Sequence, residues 1–140
     1  MIDLKEKIKL VELTEYNPEW PKIFADAANE IKSILKENCV QIHYIGSTAI
    51  PNIYAKPIID ISPVVKDISL VDPLNHEFEK RGYVCMGEYG ISDRRFYSKS
   101  KTKRTHHIHL FEQGSPEIKR HLLFRGFMVA HEEYIRRLIH

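Results

Sequence analysis

Residues 57–65 constrain this chain more than any other stretch. They are rich in β-branched side chains, too short for an ordinary helix, and carry one acid in their middle, which predicts a strand. On a strand, Ile58, Asp60 and Ser62 share one face while Ile59 and Ile61 point the other way. A carboxylate set among isoleucines is costly to bury unless something pairs with it, and a divalent cation is one such partner. Upstream, residues 40–45 read as a second strand that ends in Gly46-Ser47. That turn offers backbone N–H groups and a hydroxyl, which suits a phosphate. Whatever fold the chain adopts must bring a partner to Asp60.

The remaining elements follow from local signals. Asn17-Pro18-Glu19, Asp72-Pro73 and Ser115-Pro116-Glu117 each set a capping side chain before a proline, which predicts three helix starts. The helices expected are 18–36, a short one from 73 to 80 or 81 stopped by Gly82, and one from 116 towards the C-terminus, interrupted at Gly126. Trp20 is expected in the core, as are Ile118, Leu122, Phe127, Ile135 and Leu138 of the last helix. Further strands are predicted at 7–13, 83–86, 95–99 and 105–111, the last two joined by a basic hairpin loop at 100–104. This order predicts a mixed α/β layer protein.

Two other groups of residues carry chemistry. His107 and His109 lie two apart on a predicted strand, so both imidazoles face the same way and suit a shared metal ion. If their strand lies beside Asp60, the three form a mixed nitrogen and oxygen ligand set that favours Zn²⁺, Mn²⁺ or Fe²⁺ over Mg²⁺. Lys56, Arg94, Arg95, Arg104, Arg120 and Arg125 are the basic residues that could converge on a polyphosphate, with Arg125 first and Arg95 next. His43, His76, His121, His131 and His140 are expected at the surface. Cys39 and Cys85 lack metal-type spacing and are expected to be reduced and buried.

A Gly-Ser at a strand end, with an acid on the next strand, resembles the core signature of polymerase-β-type nucleotidyltransferases. More specifically, the chain resembles the GrpB-like branch of that superfamily. The matching blocks are Tyr16-Asn17-Pro18-Glu19-Trp20, Ile45-Gly46-Ser47-Thr48, Lys56-Pro57-Ile58-Ile59-Asp60-Ile61, Arg81-Gly82-Tyr83, His107-Ile108-His109-Leu110 and Leu122-Leu123-Phe124-Arg125. The resemblance implies an α+β nucleotidyltransferase-like fold over residues 1–140, with a mixed sheet of about five strands and helices mainly on one face, short of the family's C-terminal helix. It also implies a nucleotidyl transfer reaction. Gly46, Ser47 and Thr48, with Lys56, Arg95 and Arg125, would hold a nucleoside triphosphate. In that superfamily acids hold Mg²⁺; the strand spacing adds His107 and His109 to Asp60 here, and the three would hold Mg²⁺, Mn²⁺ or Zn²⁺ and serve catalysis. The acceptor, a small molecule or a protein, is not implied. Ser62 stands where such enzymes carry a second acid, and Tyr44 where the family pattern has a histidine. These departures keep two alternatives in view: a non-catalytic nucleotide- or metabolite-binding module, and a metal-dependent phosphohydrolase.

Composition narrows the partners. With 21 Lys and Arg against 19 Asp and Glu, the net charge of +2 argues against a nucleic-acid coat. No apolar run approaches membrane-spanning length and the first ten residues lack a signal peptide's apolar run, so a cytoplasmic location away from membranes is expected. Nothing in the sequence selects an oligomeric state; a homodimer is compatible with it.

Overall fold

A computed structural model describes residues 13–100 and 104–131 of the chain. Its elements are α1 (Trp20–Leu35), β1 (Cys39–Ile45), β2 (Ile59–Val65), α2 (Asn75–Lys80), β3 (Tyr83–Cys85), β4 (Arg94–Lys99), β5 (His106–Glu112) and α3 (Pro116–Ala130). The five strands form one sheet in the order β1-β2-β5-β4-β3. The β2–β5 pair is parallel and the other neighbours are antiparallel. This is the mixed five-stranded α+β architecture expected, with β2 and β5 side by side at its centre.

Alternation along the strands divides the sheet into two chemically different faces. On one, Ile59, Ile61 and Val65 of β2, Ile108 and Leu110 of β5, Tyr97 of β4 and Tyr83 of β3 meet Trp20, Ala27, Ile31, Ile34 and Leu35 of α1 and Phe78 of α2. Ile31, Ile61, Phe78, Ile108 and Leu110 have no exposed surface. The other face carries Asp60 and Ser62 of β2, His107 and His109 of β5, and Arg94, Phe96 and Ser98 of β4. It is crossed at the β1 side by α3, where an Arg125 Nη1 donates to the Tyr44 carbonyl at 2.8 Å.

Several local expectations are corrected. The first helix starts at Trp20 with Pro21 in its first turn, and Asn17 instead closes a turn by accepting from the Glu19 N–H at 2.9 Å. Asp72 begins a 3₁₀ turn without capping it, because its carboxylate is engaged by Arg95. Ser115 does cap α3, accepting from the Glu117 N–H. That helix runs through Gly126 without a break, and Phe127 is 56% exposed, so it is no core residue. Both cysteines are free and only half-buried. The N-terminal strand expected at 7–13, the hairpin tip at 101–103, and Ile135, Leu138 and His140 fall largely or wholly outside the described residues; Thr14 forms an isolated bridge with Ala55.

His106 faces the helical side, edge-on to Tyr83, and burial pushes its imidazole down to about 4, with the Lys99 charge adding to the shift. Below the ordinary value of 6.5 the unfolded chain takes up a proton that the folded chain resists. Stability is therefore expected to fall as pH drops from 6.5 and to stop falling on this account near 4. In His106→Phe the slope of unfolding free energy against pH across that window should be shallower; an unchanged slope contradicts the assignment.

Candidate functional site

Asp60 joins the two halves of the site. In the parallel β2–β5 ladder it is registered with His107, and in the antiparallel β1–β2 ladder with Ile45, the last residue before the Gly46-Ser47 turn. Its Oδ1 lies 2.9 Å from His109 Nε2 and 3.7 Å from His107 Nδ1. The first is a hydrogen bond donated by the imidazole; the second is too long to be one. The other oxygen, Oδ2, faces Gly46. A Cβ at Gly46 would overlap Oδ2 and come within 3.0 Å of Asp60 Cβ and Cγ, and φ at Gly46 is +78°. Both the close approach and the left-handed backbone therefore require glycine here.

One ligand atom from each of Asp60, His107 and His109 lies within 4.8 Å of the others, the arrangement of a metal-binding triad. Two ligands that share an ion at about 2 Å each stand roughly 3.3 Å apart in a tetrahedron, so small side-chain rotations bring the three onto one ion. The three side chains are 24%, 18% and 15% exposed respectively, sheltered yet open to a small ligand. Burial pushes the His107 imidazole down, against the pull of Asp60. The neutral form, which a metal needs, is thereby favoured. The Phe96 ring packs 5.2 Å from both imidazoles, fixing the wall towards β4.

The other residues singled out from sequence separate into three groups. Gly46 and Ser47 stand at the site, with Ser47 opening the 3₁₀ turn Ser47–Ala49. Lys56 and Arg104 are exposed and close enough that their charges depress His107. Arg125 reaches the β1 edge at Tyr44 O and lies near enough to His43 to lower its pKa, second to burial. Two assignments are corrected. Arg95 lies on the helical face, one residue out of phase with the Asp60 side, and its guanidinium forks onto the Asp72 carboxylate at 2.7 and 3.3 Å. Thr48 is buried; its hydroxyl donates to the Ile58 carbonyl at 3.1 Å and accepts from Tyr44 Oη at 2.9 Å. It pins the turn to the start of β2 and has no surface to offer a phosphate. Tyr44, where the family pattern has histidine, completes this clamp.

The site also takes in His121, expected at the surface, and Arg94, expected only as one of several basic residues that could meet a polyphosphate. His121 is carried by α3 and its ring lies 5.6 Å from that of His109 and 5.9 Å from that of Phe111. Its spacing of four from Arg125 puts both on one side of the helix, and that was the available signal. Arg94 is buried; its guanidinium donates to the carbonyls of Glu88 and Tyr89 and stacks on Phe96 at 4.8 Å, bracing the wall behind the histidines.

Comparison with known proteins gives the following. A sequence profile described as "GrpB protein" matches residues 10–138. The UPF0157 protein YqkA of Bacillus subtilis is 44% identical over 121 residues, which is 86% of this chain and 35% of YqkA. The chain thus spans about a third of that relative's length. A crystal structure of the conserved protein GrpB from Enterococcus faecalis superposes with a TM-score of 0.84 at 47% identity, covering 86% of this chain and 74% of that one. The Cid1 poly(U) polymerase, crystallised with MgATP, superposes with a TM-score of 0.54 at 11% identity over 89% of this chain and 42% of its own, a likeness of fold alone. No helix among the described residues is long and apolar enough to cross a membrane.

Gly46→Ala should cost about 1–3 kcal/mol of folding stability in urea denaturation, from strain and the Asp60 clash together. The cost should shrink in an Asp60→Gly background, where the clash is gone. Equal costs in the two backgrounds would refute the contact.

Proposed function

The chain belongs to the GrpB family, and from that premise we propose that its site binds a divalent transition metal at Asp60, His107 and His109 and a nucleotide's phosphates at the Gly46-Ser47 turn, for transfer of the nucleotidyl group to an acceptor. One observation carries the reading: a single carboxylate has one oxygen towards two histidines and the other against the glycine of a phosphate-type turn. The nucleotidyltransferase-like fold shared with a polymerase crystallised with MgATP supports it.

In this reading the Gly46 and Ser47 backbone N–H groups and the Ser47 hydroxyl hold the phosphate oxygens. Lys56 and Arg104 add positive charge at the rim, and Arg125 holds α3 against β1 so that the face stays formed. The metal, when bound, would neutralise charge on the phosphates and orient them. The acceptor's nucleophile forms a bond to the α-phosphorus while the bond to the departing pyrophosphate breaks, and its proton leaves to solvent. A nitrogen-rich ligand set with one carboxylate selects Mn²⁺, Fe²⁺ or Zn²⁺ above Mg²⁺. One observation favours a second reading, a non-catalytic nucleotide- or metabolite-binding module: Ser62, two residues beyond Asp60, is buried and offers no second carboxylate for a paired-metal site.

Thermal shift with a panel of nucleoside triphosphates tests both. Stabilisation by nucleotide is expected only with Mn²⁺ or Zn²⁺ present, and His107→Ala and Asp60→Asn should each weaken metal binding at least tenfold by calorimetry. Release of pyrophosphate when an acceptor is supplied marks transfer; stabilisation by nucleotide without metal, and no release of pyrophosphate or phosphate, marks the binding module. A flat response to every nucleotide, with and without metal, would overturn the nucleotide reading.

A further inference from the structure

Four buried polar atoms at the site have no hydrogen-bond partner in the protein: Ser62 Oγ, Ser98 Oγ, His107 Nε2 and His109 Nδ1. Both serines are 1% exposed. These atoms fall into two neighbouring pairs. Ser98 is registered directly with His107 across the β4–β5 ladder. Ser62 follows Ile61, and His109 follows Ile108, in the parallel β2–β5 ladder where Ile61 and Ile108 are registered, so the second pair lies one residue further along. All four residues are on the Asp60 face. Among the described residues the other such atoms, Glu30 Oε1 and Tyr83 Oη, belong to the helical side.

We propose that Ser62 and Ser98 are positioning residues for the two histidines, the Ser62 hydroxyl engaging His109 Nδ1 and the Ser98 hydroxyl engaging His107 Nε2, directly or through one buried water. Side chains facing each other on adjacent strands are about 5 Å apart at Cβ, within reach of either connection. Hydroxyls suit the task because they donate and accept. Without metal, His109 Nε2–H donates to Asp60, which leaves a lone pair on Nδ1 for Ser62 to donate to. With metal, Nε2 presents its lone pair to the ion, the ring hydrogen resides on Nδ1, and Ser62 accepts. A carboxylate at position 62 could serve only the second state. The serines thereby hold both rings in place while allowing the tautomer change that metal entry requires. The metal-bound half of this inference rests on the reading under Proposed function; the metal-free half does not.

The test uses the intact ¹⁵N-labelled chain. Long-range ¹H–¹⁵N correlation spectra without metal should show His109 as one tautomer, protonated at Nε2, in the parent protein and in Ser62→Thr, and as an averaged mixture in Ser62→Ala. Calorimetry with Zn²⁺ should show affinity reduced about 10–100-fold in Ser62→Ala and in Ser98→Ala and restored in the two Thr variants. Imidazole signals and Zn²⁺ affinity unchanged in both Ala variants would overturn the proposal. If the parent protein takes up no Zn²⁺, the metal reading fails, and the metal-free spectra alone decide: an unchanged His109 tautomer in Ser62→Ala overturns this proposal, and a mixture upholds it.

Discussion

A carboxylate on the polar face of a mostly apolar sheet must be satisfied, and the way Asp60 is satisfied organises everything near it. Oδ1 takes the His109 N–H and Oδ2 is pressed against Gly46, so one side chain ties β5 to the end of β1. That contact demands glycine, with φ at +78°, at position 46. It also demands that β2 and β5 run parallel in this register, because a slip of one residue would turn both histidines away from Asp60. The Thr48–Tyr44–Ile58 hydrogen bonds hold the intervening turn in place, and the apolar face beneath, packed on α1, keeps the two central strands fixed.

Much of this was legible because strand alternation is a local property. Residues two apart share a face whatever the rest of the chain does, so Asp60 with Ser62 and His107 with His109 could be grouped from sequence. That β2 and β5 are neighbours is a long-range fact that no local signal carries, and from sequence it could enter only as a condition on the metal set. The errors have the same origin. Arg94 and Arg95 are adjacent and chemically alike, and only the pairing of Phe96 with His109 decides that Arg94 faces the histidines and Arg95 faces away towards Asp72. Thr48 sits in a matching block, but its burial follows from a clamp that includes Tyr44, a residue read only as a departure from the family pattern. His121 lies on a helix whose placement depends on packing, and its approach to His109 has no strand rule to announce it.

The third helix differs from the other two. It crosses the polar face, contributes no fully buried residue, and leaves Leu123, Phe124 and Phe127 more than half exposed. It is anchored by its Ser115 cap, by Arg125 on the Tyr44 carbonyl and by His121 against His109 and Phe111. Its polar side therefore belongs to the site while its apolar side does not belong to the core. YqkA and the Enterococcus faecalis GrpB protein both extend beyond the part shared with this chain, so activity of the longer proteins is a separate question from the geometry around Asp60.

The central claim is that Asp60, His107 and His109 form one metal site built before any metal arrives. Anomalous diffraction at the zinc edge, from a crystal grown with equimolar Zn²⁺, tests it most directly. The account predicts one strong peak within bonding distance of Asp60, His107 and His109, with the strands unmoved. A peak elsewhere, with the His109–Asp60 hydrogen bond intact and no zinc beside it, would contradict it.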